Sequence, residues 1–341
     1  MTANDGSGRG RPTMRDVAAH AGVSFKTVSR VVNDEPGVAL ATREKVERSV
    51  AALRFERNDL ARSLRPGHRT HTLGLVIEDF ANPFFSAVTQ GVDEVAQAQE
   101  QLLLIASTQA DLARERAAVT ALVRRRVDGL LLVPMVPDDP YAASAQGTST
   151  VFIDRPGAGV DSVLVDNVGG VEQAVSHLVE RGHRRIAFVG RDPGTFSTEQ
   201  RLTAFRRCLA ERTGTVDEQL IATAAGLIAD AEVAHAESAV ERLLALPARR
   251  RPTAILTVNN RTTVGVLHAL RGRPGAPALV GFDEVELGEL LGVTVVRTPA
   301  FEMGRLAAEL VLERIHGRAD APQQIVVPTE LVPRGSGEIA P

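Results

Sequence analysis

Two groups of residues in this chain have types and positions suited to chemistry. The first stands directly after apolar runs that read as strands. Asp154 and Arg155 follow Val151-Phe152-Ile153, Asn259 and Asn260 follow Ala254 to Val258, and Asp283 follows Leu279 to Phe282. Arg201 opens the helical run after the strand Ile186 to Val189, and Phe84 and Phe85 come soon after the first strand. In open α/β sheets ligands sit beyond the carboxyl ends of the strands, so these positions converge on one cleft. A carboxylate, a guanidinium and an amide there suit a polyhydroxyl or heterocyclic ligand, through charge-assisted and paired hydrogen bonds. Phe84 or Phe85 offers such a ring a flat wall or, equally, anchors the first helix of that region in the core. The charged residues have a structural alternative too, as salt bridges within the protein. The second group is Ser24, Phe25, Lys26, Thr27 and Arg30, on one face of a short helix. Hydrogen-bonding side chains with one aromatic suit base edges and phosphates.

Other chemistries lack their residues. No G-x-G-x-x-G opens a helix after the first strand, and no G-x-x-x-x-G-K-[ST] occurs, so no nucleotide cofactor is expected. The eight histidines are scattered without metal-ligand spacing, and no G-x-S-x-G is present. The single cysteine, Cys208, lies in a helical run and reads as a packed small residue. His183 follows Arg181-Gly182 at a helix end before a strand and reads as a C-terminal cap favoured by the helix dipole, without catalysis.

The elements that must position the two groups follow from periodicity. Thr13 caps a helix with Asp16 three residues on, and Val17 and Ala21 share its face. Gly22 makes the turn, and Val28, Val31 and Val32 form the apolar face of the second helix. Asn33 to Gly37 is a loop, and Thr42 is expected to cap a third helix, Arg43 to Leu53, with Val46, Val50 and Leu53 at helical spacing. Asn58 to Leu64 is a short helical candidate stopped by Pro66-Gly67. From about Thr72 apolar strands alternate with helices, in two successive sets. That pattern predicts two doubly wound, parallel-sheet lobes covered on both faces.

Charge divides the chain in the same place. Residues 1–70 carry 13 Lys+Arg against 8 Asp+Glu, +5, so the remainder sums to −8 of the net −3. A basic head fits contact with phosphate. One cysteine in 341 residues fits a reducing cytoplasm, and no stretch approaches the length of a membrane span. Residues 1–11 are polar and read as a solvated tail.

The run DVAAHAGVSFKTVSRVVN, followed by A-R-S-L at Ala61 to Leu64, resembles the DNA-binding domain of the lactose-repressor/galactose-repressor (LacI/GalR) family of bacterial transcriptional regulators. Further on, GLVIEDFANPFF, VDNVGGVEQAVSHLVERGHRRIAFVG and LVGFDEVELGELLGVTVVRTP are similar to the family's periplasmic-binding-protein-like core. The resemblance implies a helix-turn-helix head at 12–57, a hinge at 58–67 and a core at 68–341. Within the core, one lobe takes about 70–166 and 298–326, and the other about 167–297 and 327–341. It further implies that the DNA-facing residues are Thr13, Ser24, Phe25, Lys26, Thr27, Ser29, Arg30 and Asn33, with Asn58, Ala61, Leu64 and Arg65 in the hinge. Leu64 would wedge between base steps beside Ala61 of each copy. The family's effector-contacting arginine falls on Arg201 in R-L-T-A-F, its aspartate on Asp283 in G-F-D, and its amide position on Asn259 and Asn260. Asn260 stands where the family usually has Asp.

The expectation is therefore a cytoplasmic, homodimeric regulator, a repressor with an activator as the alternative. It binds a near-palindromic operator under control of a small effector, a sugar or related metabolite, with no cofactor, metal, membrane or enzymatic role. A solute-binding protein without DNA regulation is the rival of a different class.

Overall fold

Helix α1 (Met14–Ala21) begins where the sequence supplies its cap. The Thr13 hydroxyl accepts the Asp16 N–H, and the Asp16 carboxylate accepts the Thr13 N–H at 2.7 Å. Gly22 ends the helix in the left-handed region at φ 59°, where a side chain is strained. Helix α2 (Phe25–Val32) follows, and α3 (Leu40–Leu53) closes a core of Val17, Ala21, Val28 and Val46. The third helix starts two residues before the expected Thr42 cap. Its N-cap is Ala39, without a side-chain bond, and the Thr42 N–H already donates to Ala39 O at 2.9 Å. Thr42 is thus inside the first turn.

The computed structural model describes residues 12–55, 69–136, 147–191, 194–224 and 230–341. The chain divides into two units, 1–70 and 71–341. In the second unit apolar runs form two six-stranded sheets. The first has the order β11-β5-β4-β3-β1-β2 and is parallel throughout: β1 Thr72–Ile77, β2 Leu102–Ser107, β3 Gly129–Leu132, β4 Ser149–Ile153, β5 Asp161–Val165 and β11 Gln324–Val327. Its register sets Leu75 between Ile105 and Leu131. The second has the order β12-β10-β9-β8-β6-β7: β6 Ile186–Arg191, β7 Ile221–Ala224, β8 Ala254–Thr257, β9 Ala278–Phe282, β10 Thr294–Arg297 and β12 Glu330–Val332. Only β12 runs antiparallel to its neighbour.

The chain passes between the sheets after β5, after β10 and after β11. Helices α4 (Pro83–Ala98), α5 (Leu112–Arg124) and α10 (Ala300–Ile315) cover the first sheet; α6 (Asn167–Glu180), α7 (Phe196–Thr213), α8 (Asp230–Leu244) and α9 (Asn260–Leu270) cover the second. α4 and α10 meet backbone to backbone. A Cβ on Gly91 would lie 2.0 Å from Phe301 O, and one on Gly304 would lie 2.0 Å from Val88 O. No larger residue fits at either crossing point without moving a helix.

His183 caps the end of α6 through its backbone, its N–H donating to Leu178 O at 3.1 Å, and its ring does further work. It is fully buried, with Nδ1 2.9 Å from Thr253 Oγ1 and Nε2 2.9 Å from Ile339 O. Burial pushes its pKa down, outweighing the Ile339 carbonyl, so a neutral ring ties the C-terminal segment to the second lobe. Cys208 is buried in the core, as a packed residue.

Candidate functional site

The head presents its polar face on α2. Phe25 is 49 % exposed, and Lys26 beside it is exposed with no ion pair or hydrogen bond among the described residues. Arg30 is half-buried and reaches Glu35 only at 3.9 Å. Ser24 and Thr27 are tied to one another: the Ser24 hydroxyl accepts the Thr27 N–H at 3.1 Å and lies 2.8 Å from the Thr27 hydroxyl. Ser24 is therefore the N-cap of this helix. Asn33 is its C-cap and donates to the Ser29 hydroxyl at 3.2 Å. Thr13 caps α1. The face thus divides into residues that hold the helix and residues left for a partner, Phe25, Lys26 and Arg30. Asn58, Ala61, Leu64 and Arg65 lie outside the described residues.

In the second unit the strand ends converge as parallel sheets require. Asp154 follows β4, and its N–H donates to Val163 O of β5 at 2.9 Å. Asp283 follows β9, and its N–H donates to Val296 O of β10 at 2.9 Å. Both take left-handed backbone, φ 67° and 64°, which short polar residues tolerate better than most. Each lobe thus turns out one aspartate by the same device.

The two aspartates have different surroundings. Asp283 accepts the Thr298 hydroxyl at 2.6 Å and sits 3.6 Å from Arg201 Nη1. Arg201 also donates from Nε to Asn167 at 2.7 Å and from Nη1 to Val258 O, and lies over the Phe282 ring, 3.6 Å from its centroid. Arg201 stands in the second turn of α7, which begins at Phe196 after the N-cap Thr195, five residues earlier than expected. Asp154 is buried, and among the described residues its carboxyl makes no hydrogen bond or ion pair. Burial pushes it up to about 6, against the pull of Arg155 and Arg201.

Arg155 turns away from Asp154. Its Nη1 donates to Pro134 O at 2.6 Å and its Nη2 to Glu78 at 3.2 Å. Glu78, directly after β1, also accepts from Arg191 Nη1 at 3.0 Å. Arg191 ends β6 in the other lobe, so one carboxylate joins the lobes. Burial works to raise Glu78, and the charges of Arg191 and Arg155 more than offset it, holding it below its ordinary value. Two more contacts cross from the same loop: Asp79 pairs with Arg261, and Asn82 Oδ1 accepts from Asn260 Nδ2 at 2.8 Å. An aspartate at 260 would have no N–H to give Asn82, which is the consequence of the amide found there.

Asn259 is occupied structurally. It caps α9 through the Thr262 N–H at 2.9 Å and donates to Glu232, whose carboxyl burial raises. Phe85 is a core residue, 6 % exposed, and Phe84 stacks edge-on to it with centroids 5.1 Å apart. Phe84, Phe85, Asp154, Arg155, Arg201, Asn259 and Asp283 line one cavity; Asn260 bridges the lobes beside it. The space among them is about 50 Å³, room for a few waters. Glu78, Asp79, Arg191, Glu232 and Arg261 escaped the sequence reading. Glu78 stands immediately after a strand, so the same rule that found Asp154 and Asp283 applies to it.

Comparison with known proteins adds to this geometry. Residues 13–58 match the family described as bacterial regulatory proteins, lacI family, and residues 175–337 match a periplasmic binding protein-like domain. The HTH-type transcriptional regulator DegA of Bacillus subtilis is 30 % identical over 339 residues, covering 96 % of this chain and 98 % of the relative. GalR of Salmonella typhimurium, also an HTH-type transcriptional regulator, is 32 % identical over 321 residues, 91 % of each chain. The ribose operon repressor of Escherichia coli is 31 % identical over 336 residues, 95 % of this chain and 99 % of its own. Among solved structures, a transcriptional regulator CelR–cellobiose complex matches with a TM-score of 0.68 and 30 % identity over 96 % of this chain and 100 % of that one. The lac repressor dimer bound to operator and the anti-inducer ONPF shares the fold, with a TM-score of 0.82 at 24 % identity over 96 % and 99 % of the two chains.

Proposed function

This chain belongs to the lacI family of bacterial regulatory proteins, and from that membership we propose that it is a homodimeric transcriptional repressor that binds a near-palindromic operator and responds to a small polyhydroxyl effector in the cleft of residues 71–341. The observation that carries the reading is the outward face of α2. Phe25 and Lys26 are exposed, and Arg30 is held only by its 3.9 Å pair with Glu35, above a closed apolar core. In this reading they meet base edges in the major groove, while Thr13, Ser24, Thr27, Ser29 and Asn33 set register and touch phosphate. Two heads are needed, because one small domain makes too few contacts for a specific site. The hinge roles of Asn58, Ala61, Leu64 and Arg65 rest on the sequence.

The residues that line the cleft suit such an effector in type. Asp154, Arg201 and Asp283 converge on it with Phe84 at one wall, and Arg155, Phe85, Asn259 and Asn260 shape its sides. The named relatives are transcriptional regulators and a repressor, which supports a non-enzyme acting on DNA in the cytoplasm. Among the described residues no helix is long and apolar enough to cross a membrane.

The test begins with DNA selected from a random pool by the full-length protein. Arg30→Ala then weakens the selected operator by about 1–3 kcal/mol and leaves scrambled DNA unchanged, as measured by fluorescence anisotropy. An equal loss on both DNAs makes Arg30 a phosphate contact; failure to select any palindrome sinks the dimeric-operator reading.

A further inference from the structure

The cleft holds three lining carboxylates, Glu78, Asp154 and Asp283, and three guanidinium groups, Arg155, Arg191 and Arg201. Arg201 and Asp283 belong to one lobe and pair within it. Glu78 is different: its two oxygens are taken by two arginines from opposite lobes, at 3.2 and 3.0 Å. Arg155 is 5 % exposed and its Nε has no hydrogen-bond partner among the described residues. A carboxylate shared by two forked cations is the arrangement by which proteins bind small acids.

We propose that Glu78 is the internal occupant of a carboxylate seat built by Arg155 and Arg191, and that the effector is a hydroxylated monocarboxylic acid whose own carboxylate takes this seat. The proposal rests on the cleft being the effector site.

The cavity of about 50 Å³ admits no sugar-sized molecule until a lining group moves, and Glu78 is the lining group that ties the lobes together by ion pairs. When it leaves, Arg155 and Arg191 lose their shared counter-ion, and a buried guanidinium without one is strongly unfavourable. A neutral ligand leaves that deficit in place, whereas a carboxylate restores the pairing and again joins the lobes. The ligand's hydroxyl groups then meet the free carboxyl of Asp154 and the amide of Asn82.

The test uses full-length protein and thermal unfolding. Glu78→Ala lowers the midpoint of the core by a few degrees. Sodium acetate restores it where sodium chloride of equal ionic strength does not, and wild type responds alike to the two salts. Adding Arg191→Ala to Glu78→Ala abolishes the rescue. D-Glucuronate raises the wild-type midpoint and D-glucose does not, and Arg191→Ala and Arg201→Ala each lose the response. Absence of acetate rescue overturns the seat. If D-glucose raises the midpoint as much as D-glucuronate and Arg201→Ala removes both responses, the acid class is overturned while the cleft stands as the effector site. A D-glucuronate response that survives both arginine substitutions overturns the seat and the cleft reading together.

Discussion

The head and the cleft use polar side chains in opposite ways. On α2, Lys26 has no partner among the described residues and Arg30 touches Glu35 only at 3.9 Å, because solvent satisfies them. In the cleft, Glu78, Asp79, Arg201 and Arg261 are each paired inside the protein. A surface for a large polyanion keeps its cations hydrated and unspent until contact. A cleft buries its charges first and must satisfy them itself, so any ligand competes with partners already in place. Substitution should therefore separate the two regions: cleft changes register in stability, and changes at the outward face of the head register in DNA binding.

Arg201→Ala gives the largest effect. It strands Asp283 and Asn167 in the buried cleft, and breaking such a pair costs about 3–5 kcal/mol of core stability. Urea unfolding of the full-length protein measures this; a loss near zero would show that the cleft charges behave like surface charges. Asp154→Asn goes the other way. The folded carboxyl is raised from 3.8 to about 6, so its charged form opposes folding. That penalty is absent below the lower value, grows between the two and is complete above about 6. Wild-type stability should fall from this group as pH rises through that window. The variant should escape the fall and gain up to about 3 kcal/mol at pH 7. A variant that tracks wild type across the window would show Asp154 to be adequately hydrated.

Two head substitutions sharpen the other side. Ser24→Ala removes the α2 cap and should cost the head about 1 kcal/mol, read by amide exchange in residues 25–32. Lys26→Ala should leave unfolding unchanged and reduce the slope of log affinity against log salt by about one. A stability loss at Lys26 would erase the distinction between holding and reaching residues.

The same contrast explains what the sequence could tell. The head's cap, turn glycine and apolar stripes all act within three or four residues, so Thr13, Asp16, Gly22 and Val28 carry their meaning locally. In the core the apolar strands announce themselves, and Asp154 and Asp283 follow from standing just beyond them. Arg191 and Arg261 do not, since their partners Glu78 and Asp79 lie 113 and 182 positions away. Periodicity reports which way a residue faces, and only the closed fold reports what it faces. The start of α7 at Phe196 and of α3 at Leu40 shifted for a simpler reason: a helix can start without the side-chain cap that marks its start in sequence.

The backbone contact of α4 with α10, at Gly91 against Phe301 and at Gly304 against Val88, bears on how the protein is made. The first sheet and its helix α4 are synthesised early, yet the helix that meets Gly91 and the strand β11 arrive only after residues 167–297. A nascent chain therefore carries an unfinished first lobe while strands β6 to β10 of the second sheet emerge from the ribosome. During that interval the face of α4 around Gly91 lacks its partner helix, and exposed apolar surface on an incomplete lobe is the kind that aggregates.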